Sequence, residues 1–148
     1  EWNPASSWYD HDASAVAVFE LQAGSSRPPI VYTYRGSWCA EGKNTTWECD
    51  WRVIGTKGSV TWDGAEAFSA QVVSETGGFR SEYVDATVPP PEPSDRIGAH
   101  AGQIADFCDC VRTGRVPETA GADNIKSLAM VFGAIKSAAQ GREIPCAW

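Results

Sequence analysis

One proline run constrains this chain more than any other feature. Val88-Pro-Pro-Pro-Glu-Pro-Ser94 falls where the spacing of apolar residues changes from every second position to every third or fourth. Proline has no amide hydrogen, fixes its own φ and pushes the preceding residue out of the helical region, so neither a central strand nor a helix continues through such a run. The 148 residues are expected to form one domain over 1–148, with a sheet region at 12–88, a linker at 89–94 and a helical pair at 95–141. Strands collected ahead of helices, without alternation, specify an α+β class.

Within the first region the alternation is clearest in Trp47-Glu-Cys-Asp-Trp-Arg-Val-Ile54. Trp47, Cys49, Trp51 and Val53 make an apolar row, and Glu48, Asp50 and Arg52 a polar one, as a sheet buried on one face requires. Gly55-Thr-Lys-Gly58 supplies a tight reversal, Ser59 to Trp62 returns as the partner strand, and Asp63-Gly64 marks another hairpin. Ala13 to Leu21, Ile30 to Arg35, Phe68 to Val72 and Tyr83 to Val88 complete the strands, with breaks at Ser25-Ser-Arg-Pro-Pro29 and Gly77-Gly78. Gly36 through Thr46 reads as a loop carrying Trp38.

After the prolines, Ser94 is the expected N-cap, with Asp95 favourable against the first-turn dipole. Ile97, Ala101, Ile104, Phe107 (or Cys108) and Val111 form a helical stripe that Gly114 closes. Ile125, Leu128, Phe132 and Ile135 form a second, which stops at Gly141. The architecture expected is a mainly antiparallel, open-faced sheet of five or six strands with two C-terminal helices packed on one face.

Charge and motif content exclude several classes of function. A net charge of −7 argues against binding a phosphate backbone, which needs clustered Lys and Arg, so no nucleic-acid partner is expected. No run approaches the ~18 consecutive apolar residues of a membrane span and no basic-apolar signal pattern opens the chain, so no membrane partner and a cytoplasmic location are expected. Cys39, Cys49, Cys108, Cys110 and Cys146 are odd in number, and Cys108-Asp-Cys110 has the wrong spacing for a zinc knuckle. Reduced thiols packed as small apolar groups, and no metal site, are expected; a Cys39–Cys49 pairing stays open. There is no Gly-x-Gly-x-x-Gly, no Gly-Lys-Ser/Thr loop, no His-Glu-x-x-His and no serine nucleophile elbow. His11, between Asp10 and Asp12, and His100 are the only histidines, and neither is assigned a catalytic role. Asn44-Thr-Thr46 matches a glycosylation tripeptide, but nothing else in the sequence indicates secretion.

Longer patterns carry a family likeness. Asp12-x-Ser-Ala-Val-Ala-Val-Phe-Glu-Leu, Trp51-Arg-Val-Ile-Gly-Thr-Lys-Gly-Ser-Val60, Phe107-Cys-Asp-Cys-Val-Arg-Thr-Gly-Arg-Val-Pro-Glu-Thr119 and Asn124 through Arg142 stand in order along the chain. Together, from about Asp12 to Ile144, they resemble the C-terminal domain of the Gfo/Idh/MocA oxidoreductases. The resemblance implies an NAD(P)-dependent enzyme acting on a sugar, an inositol or a related polyol. It also implies a separate Rossmann domain with the cofactor turn, a Glu-Lys-Pro segment and a catalytic histidine on a connecting helix. None of these stands in this sequence, so the chain is expected to hold no cofactor and no catalytic residue of its own, with NAD or NADP bound elsewhere in the parent enzyme. A start at Glu1 rather than Met, and seven tryptophans, fit the same expectation of a piece of a larger protein.

The resemblance leaves this domain the substrate side and the assembly of the enzyme. The family's substrate-side aromatic residue falls before the Ile-Gly-x-x-Gly turn and matches Trp47 most closely. Read from the residues themselves, the Gly36–Trp47 loop offers Trp38 and Trp47 to stack on a sugar's C–H face, and Glu41, Asn44, Thr45 and Thr46 to hydrogen-bond hydroxyls. Trp38, Asn44, Thr45 and Trp47 are the candidate substrate-binding residues; the competing reading is an aromatic cluster that packs between domains. Two helices cover only one sheet face, so a homo-oligomer through the other face is expected. A stand-alone β-sheet carbohydrate-binding or assembly module is the alternative to the enzyme domain.

Overall fold

A computed structural model describes residues 9, 13–22, 24, 26–76, 79–90 and 98–147. The element order is β1 (Ser14–Leu21), β2 (Ile30–Ser37), β3 (Trp51–Gly55), β4 (Gly58–Trp62), β5 (Phe68–Glu75), β6 (Glu82–Ala86), α1 (Ala99–Thr113) and α2 (Gly121–Gln140). The chain is α+β, with all described strands antiparallel to their neighbours and both helices C-terminal. It divides into two compact units, Glu1–Glu92 and Pro93–Trp148, at the proline run.

The strands form two sheets, β1-β2 and β3-β4-β5-β6, where the sequence led us to expect one. The reason lies in the segment between β2 and β3. Thr46 Oγ1 accepts from the Glu48 amide at 3.2 Å, the Cys49 amide donates to the Thr46 carbonyl at 3.1 Å, and Cys49 takes a φ of +65°. This local side-chain-to-backbone turn outcompetes extension. β3 consequently begins at Trp51, and Trp47 and Cys49 leave the alternating row that the sequence suggested. What joins the sheets is an aromatic ladder. Phe19 stacks on Tyr32 (5.9 Å between centroids) and Tyr32 on Trp51 (6.1 Å), each pair contributing about 0.5–1.5 kcal/mol.

Register sorts the four-stranded sheet into two unlike faces. Trp51, Trp62 and Phe68 lie opposite one another, as do Val53, Val60, Ala70 and Ala86, and then Gly55, Gly58, Val72 and Val84. That face is apolar throughout. Alternate residues point the other way: Arg52, Thr61 and Ser69 at one end, Ile54, Ser59, Gln71 and Asp85 next, and Val73 with Tyr83 beyond. The second face is therefore polar toward the β4–β5 turn and part-apolar at the far end.

In the second unit Gly114 (φ +74°) and Gly141 (φ +61°) both take the left-handed conformation, and their amides cap Cys110 and Ser137 carbonyls at 2.8 Å. Both helix stops fall where expected. Ser94, Asp95 and Ile97 lie outside the described residues, as do His11 with its flanking aspartates and the Gly77-Gly78 break; α1 itself begins at Ala99 after an N-cap at Gly98. The remaining stripe residues Ile104, Phe107 and Val111 are exposed, and so are Ile125, Leu128, Phe132 and Ile135. Buried apolar residues among those described are Ala13 and Cys110.

Candidate functional site

The loop over 38–50 is tied to one end of the four-stranded sheet through Thr46, and again where the Trp51 indole N–H donates to the Glu48 carbonyl at 2.7 Å. Thr46 Oγ1 donates to the Gly64 carbonyl at 3.0 Å while also accepting the Glu48 amide. Gly64 sits in the β4–β5 turn with φ +76°, and a Cβ there would lie 2.2 Å from both the Cys49 carbonyl oxygen and Thr46 Oγ1. Only glycine meets both demands, the backbone angle and the close approach. The turn is itself braced by Asp63, whose Oδ1 accepts the amides of Ala65 (2.9 Å) and Ala67 (3.1 Å).

On this anchored loop Trp38 and Trp47 meet edge to face, 5.4 Å between centroids at 69°. They are 65% and 83% exposed, so the pair spends little of its surface on packing and presents aromatic area outward. Their contact brings together two of the four residues expected from sequence. Asn44 and Thr45 lie on the same loop and are exposed.

Beside the loop, at the same end of the sheet, an open cleft is lined by Lys43, Asp50, Arg52, Thr61, Asp63 and Ser69 together with Trp51, Trp62 and Phe68. Lys43 comes from the loop, while Arg52, Thr61 and Ser69 form one cross-strand row over β3, β4 and β5. Among the described residues the side chains of Lys43, Asp50 and Arg52 make no ion pair or hydrogen bond. Sequence reasoning placed Asp50 and Arg52 on the polar row but not in a site. The usable signal was the polar trio Arg52, Thr61 and Ser69, which becomes a row only once register is known.

A second concavity, in the helical unit, is lined by Asp106, Asp109, Arg115 and Glu118 among others. Its charges are already engaged. Arg115 donates to Asp106 (2.5 Å) and Asp109 (3.0 Å), which hold the guanidinium even further above its usual range, and the Glu118 amide donates to Asp106. This clamp ties the turn after α1 back onto the helix and leaves little chemistry over for a ligand. Nearby, burial pushes the Cys110 thiol up.

All five cysteines are free; Cys110 is buried, whereas Cys49 and Cys108 are exposed, so the expected apolar packing of thiols does not extend to those two. Among the described residues no group of His, Cys, Asp and Glu could hold a metal ion, and no helix is long and apolar enough to cross a membrane. Against known protein families, curated proteins and solved structures, the chain finds no match.

Proposed function

We propose that this chain is the substrate-side and assembly domain of an NAD(P)-dependent oxidoreductase acting on a sugar, inositol or related polyol, as its sequence resemblance implies. In this reading the nicotinamide cofactor and the catalytic histidine belong to a Rossmann domain outside these residues, the site works in the cytoplasm, and this domain supplies recognition. The observation that carries the reading is the exposed Trp38–Trp47 pair on a loop pinned by Thr46 to Gly64. Indole faces suit the C–H faces of a pyranose or cyclitol, and Lys43, Asp50 and Arg52 of the neighbouring cleft, without a partner among the described residues, suit its hydroxyls. Assembly as a homo-oligomer falls to the far end of the same sheet face, where Ile54 is 70% and Tyr83 58% exposed.

Trp47→Ala in the two-domain enzyme tests it. Losing one stacking ring costs about 1 kcal/mol, so KM for the polyol should rise by roughly fivefold to tenfold while cofactor affinity stays put. An unchanged KM accompanied by lower stability would support an aromatic packing cluster instead.

A further inference from the structure

The segment that leads into β3 runs beside β2 without pairing to it. Tyr32 on β2 meets Trp51 at the start of β3 with 6.1 Å between centroids and 16° between planes. Rings on hydrogen-bonded neighbours in this chain lie much as far apart: Phe19–Tyr32 at 5.9 Å and Trp62–Phe68 at 5.6 Å, both register pairs. The Tyr32–Trp51 spacing is therefore that of adjacent strands, yet no ladder connects β2 with β3. Further along, Trp38 meets Trp47. The two ring contacts together set residues 47–51 antiparallel to residues 32–38.

What keeps them from pairing is local. Thr46 Oγ1 donates to the Gly64 carbonyl and accepts the Glu48 amide, and the Trp51 indole N–H donates to the Glu48 carbonyl. These bonds hold 46–50 in a turn that carries a cost, because Cys49 sits at φ +65°, a left-handed conformation that a residue with a Cβ adopts at a penalty. Extended, the same residues would continue the alternation of β3. The Tyr32–Trp51 contact then fixes the register: Cys49 opposite Tyr34, Glu48 opposite Arg35 and Trp47 opposite Gly36. In that register Trp47 and Cys49 join Trp51 and Val53 in one apolar row. On the other face Glu48 meets Arg35, a favourable cross-strand pair of opposite charges, and neither side chain has an ion pair among the described residues.

We propose that residues 46–50 form a two-position strap, either turned and anchored to Gly64 or extended and paired to β2, which joins the two sheets into one of six strands. The extended register carries Trp47 to a place opposite Gly36 and out of its contact with Trp38, so the tryptophan pair belongs to the turned position. A sugar held by that pair would keep the strap turned. This last consequence rests on the sugar-site reading above; the strap itself does not.

The test is backbone NMR and amide hydrogen exchange on the full 148-residue chain, first without any sugar. Cys49→Val disfavours the left-handed turn and suits a strand, and Thr46→Val removes the anchor; together they should shift the balance toward the extended position by roughly tenfold or more. Residues 47–50 should then move to strand chemical shifts, and the β2 amides that do not bond β1 should gain protection. Cys49→Gly, which relieves the turn, should do neither. Glu48→Lys in the double variant sets like charges opposite each other and should reverse part of the shift, and adding Arg35→Glu should restore it. Turned shifts at 47–50 in a double variant whose β4–β5 amides stay protected, the same gain in Cys49→Gly, or indifference to the charge exchange would overturn the proposal. Where the double variant loses β4–β5 protection, relaxation dispersion on Thr46→Val decides: strand-like minor-state shifts at 47–50 support the strap and their absence overturns it. Glucitol should then suppress that exchange in the wild-type chain; no shift at either tryptophan with glucitol overturns the sugar reading and leaves the strap standing.

Discussion

Gly64→Ala is the sharpest probe of how the fold positions the tryptophan pair. The substitution meets two costs at once. An alanine at φ +76° occupies the left-handed region at a cost of about 1–2 kcal/mol. Its Cβ would also fall 2.2 Å from the Cys49 carbonyl and from Thr46 Oγ1. Backbone cannot yield there cheaply, so the 38–50 loop must lift and the Thr46–Gly64 hydrogen bond is lost, at about 1 kcal/mol more. A total of about 2–3 kcal/mol against the anchored state shifts the loop equilibrium by a factor of thirty or more. The assay is 19F NMR of the chain labelled with 5-fluorotryptophan. Trp38 and Trp47 lie 5.4 Å apart and edge to face, so each resonance carries the ring-current shift of the other. In Gly64→Ala both should move to the positions of unstacked tryptophan. The internal control is Thr46→Val, which removes the hydrogen bond but not the backbone fit, and should produce only part of the displacement. Wild-type resonances for Trp38 and Trp47 in Gly64→Ala would refute the anchoring argument.

Two further outcomes follow from other close contacts. Gly133, buried in α2, leaves only 2.7 Å between a built Cβ and Cys146 Sγ; Gly133→Ala alone should destabilise by about 1–3 kcal/mol through overpacking. In a Cys146→Ala background the same change should become stabilising by up to about 1 kcal/mol, the helix-propensity gain, and urea denaturation of the four variants checks the change of sign. Iodoacetamide should modify the exposed Cys49 and Cys108 well before Cys110, which is 6% exposed and has its thiol pushed up by burial. Peptide mapping at short times reads the order, and early modification of Cys110 would show that α1 opens there.

Period and punctuation carried most of the architecture. The strand at Ala13–Leu21 was legible because its apolar residues alternate, and Gly114 and Gly141 were legible as helix stops because left-handed caps favour glycine. The start of β3 was not. Trp47-Glu-Cys-Asp alternates as cleanly as the strand that follows, yet Thr46, just outside the pattern, turns those residues through its hydroxyl. Alternation reports which face a residue could occupy, not whether a nearby side chain claims its amide first. The Trp38–Trp47 site was legible as composition, two indoles on one polar loop. The cleft beside it was not, because Arg52, Thr61 and Ser69 meet only through a register that no local window contains.

The aromatic ladder between the sheets has a consequence for strand edges. A continuous sheet of six strands would expose two edges, but a division into two strands and four exposes four, with β2 and β3 each adding an inner one. Rings at a centroid spacing of 6.1 Å hold Tyr32 against Trp51 without satisfying the amides and carbonyls along those edges. Such edges are templates for strand addition, and charged side chains along them are a common safeguard against it. Arg35 on β2 and Arg52 on β3 occupy those positions. Arg52 thus stands where a ligand and an intruding strand would compete for the same ground, and occupation of the cleft would protect this edge as a by-product of recognition.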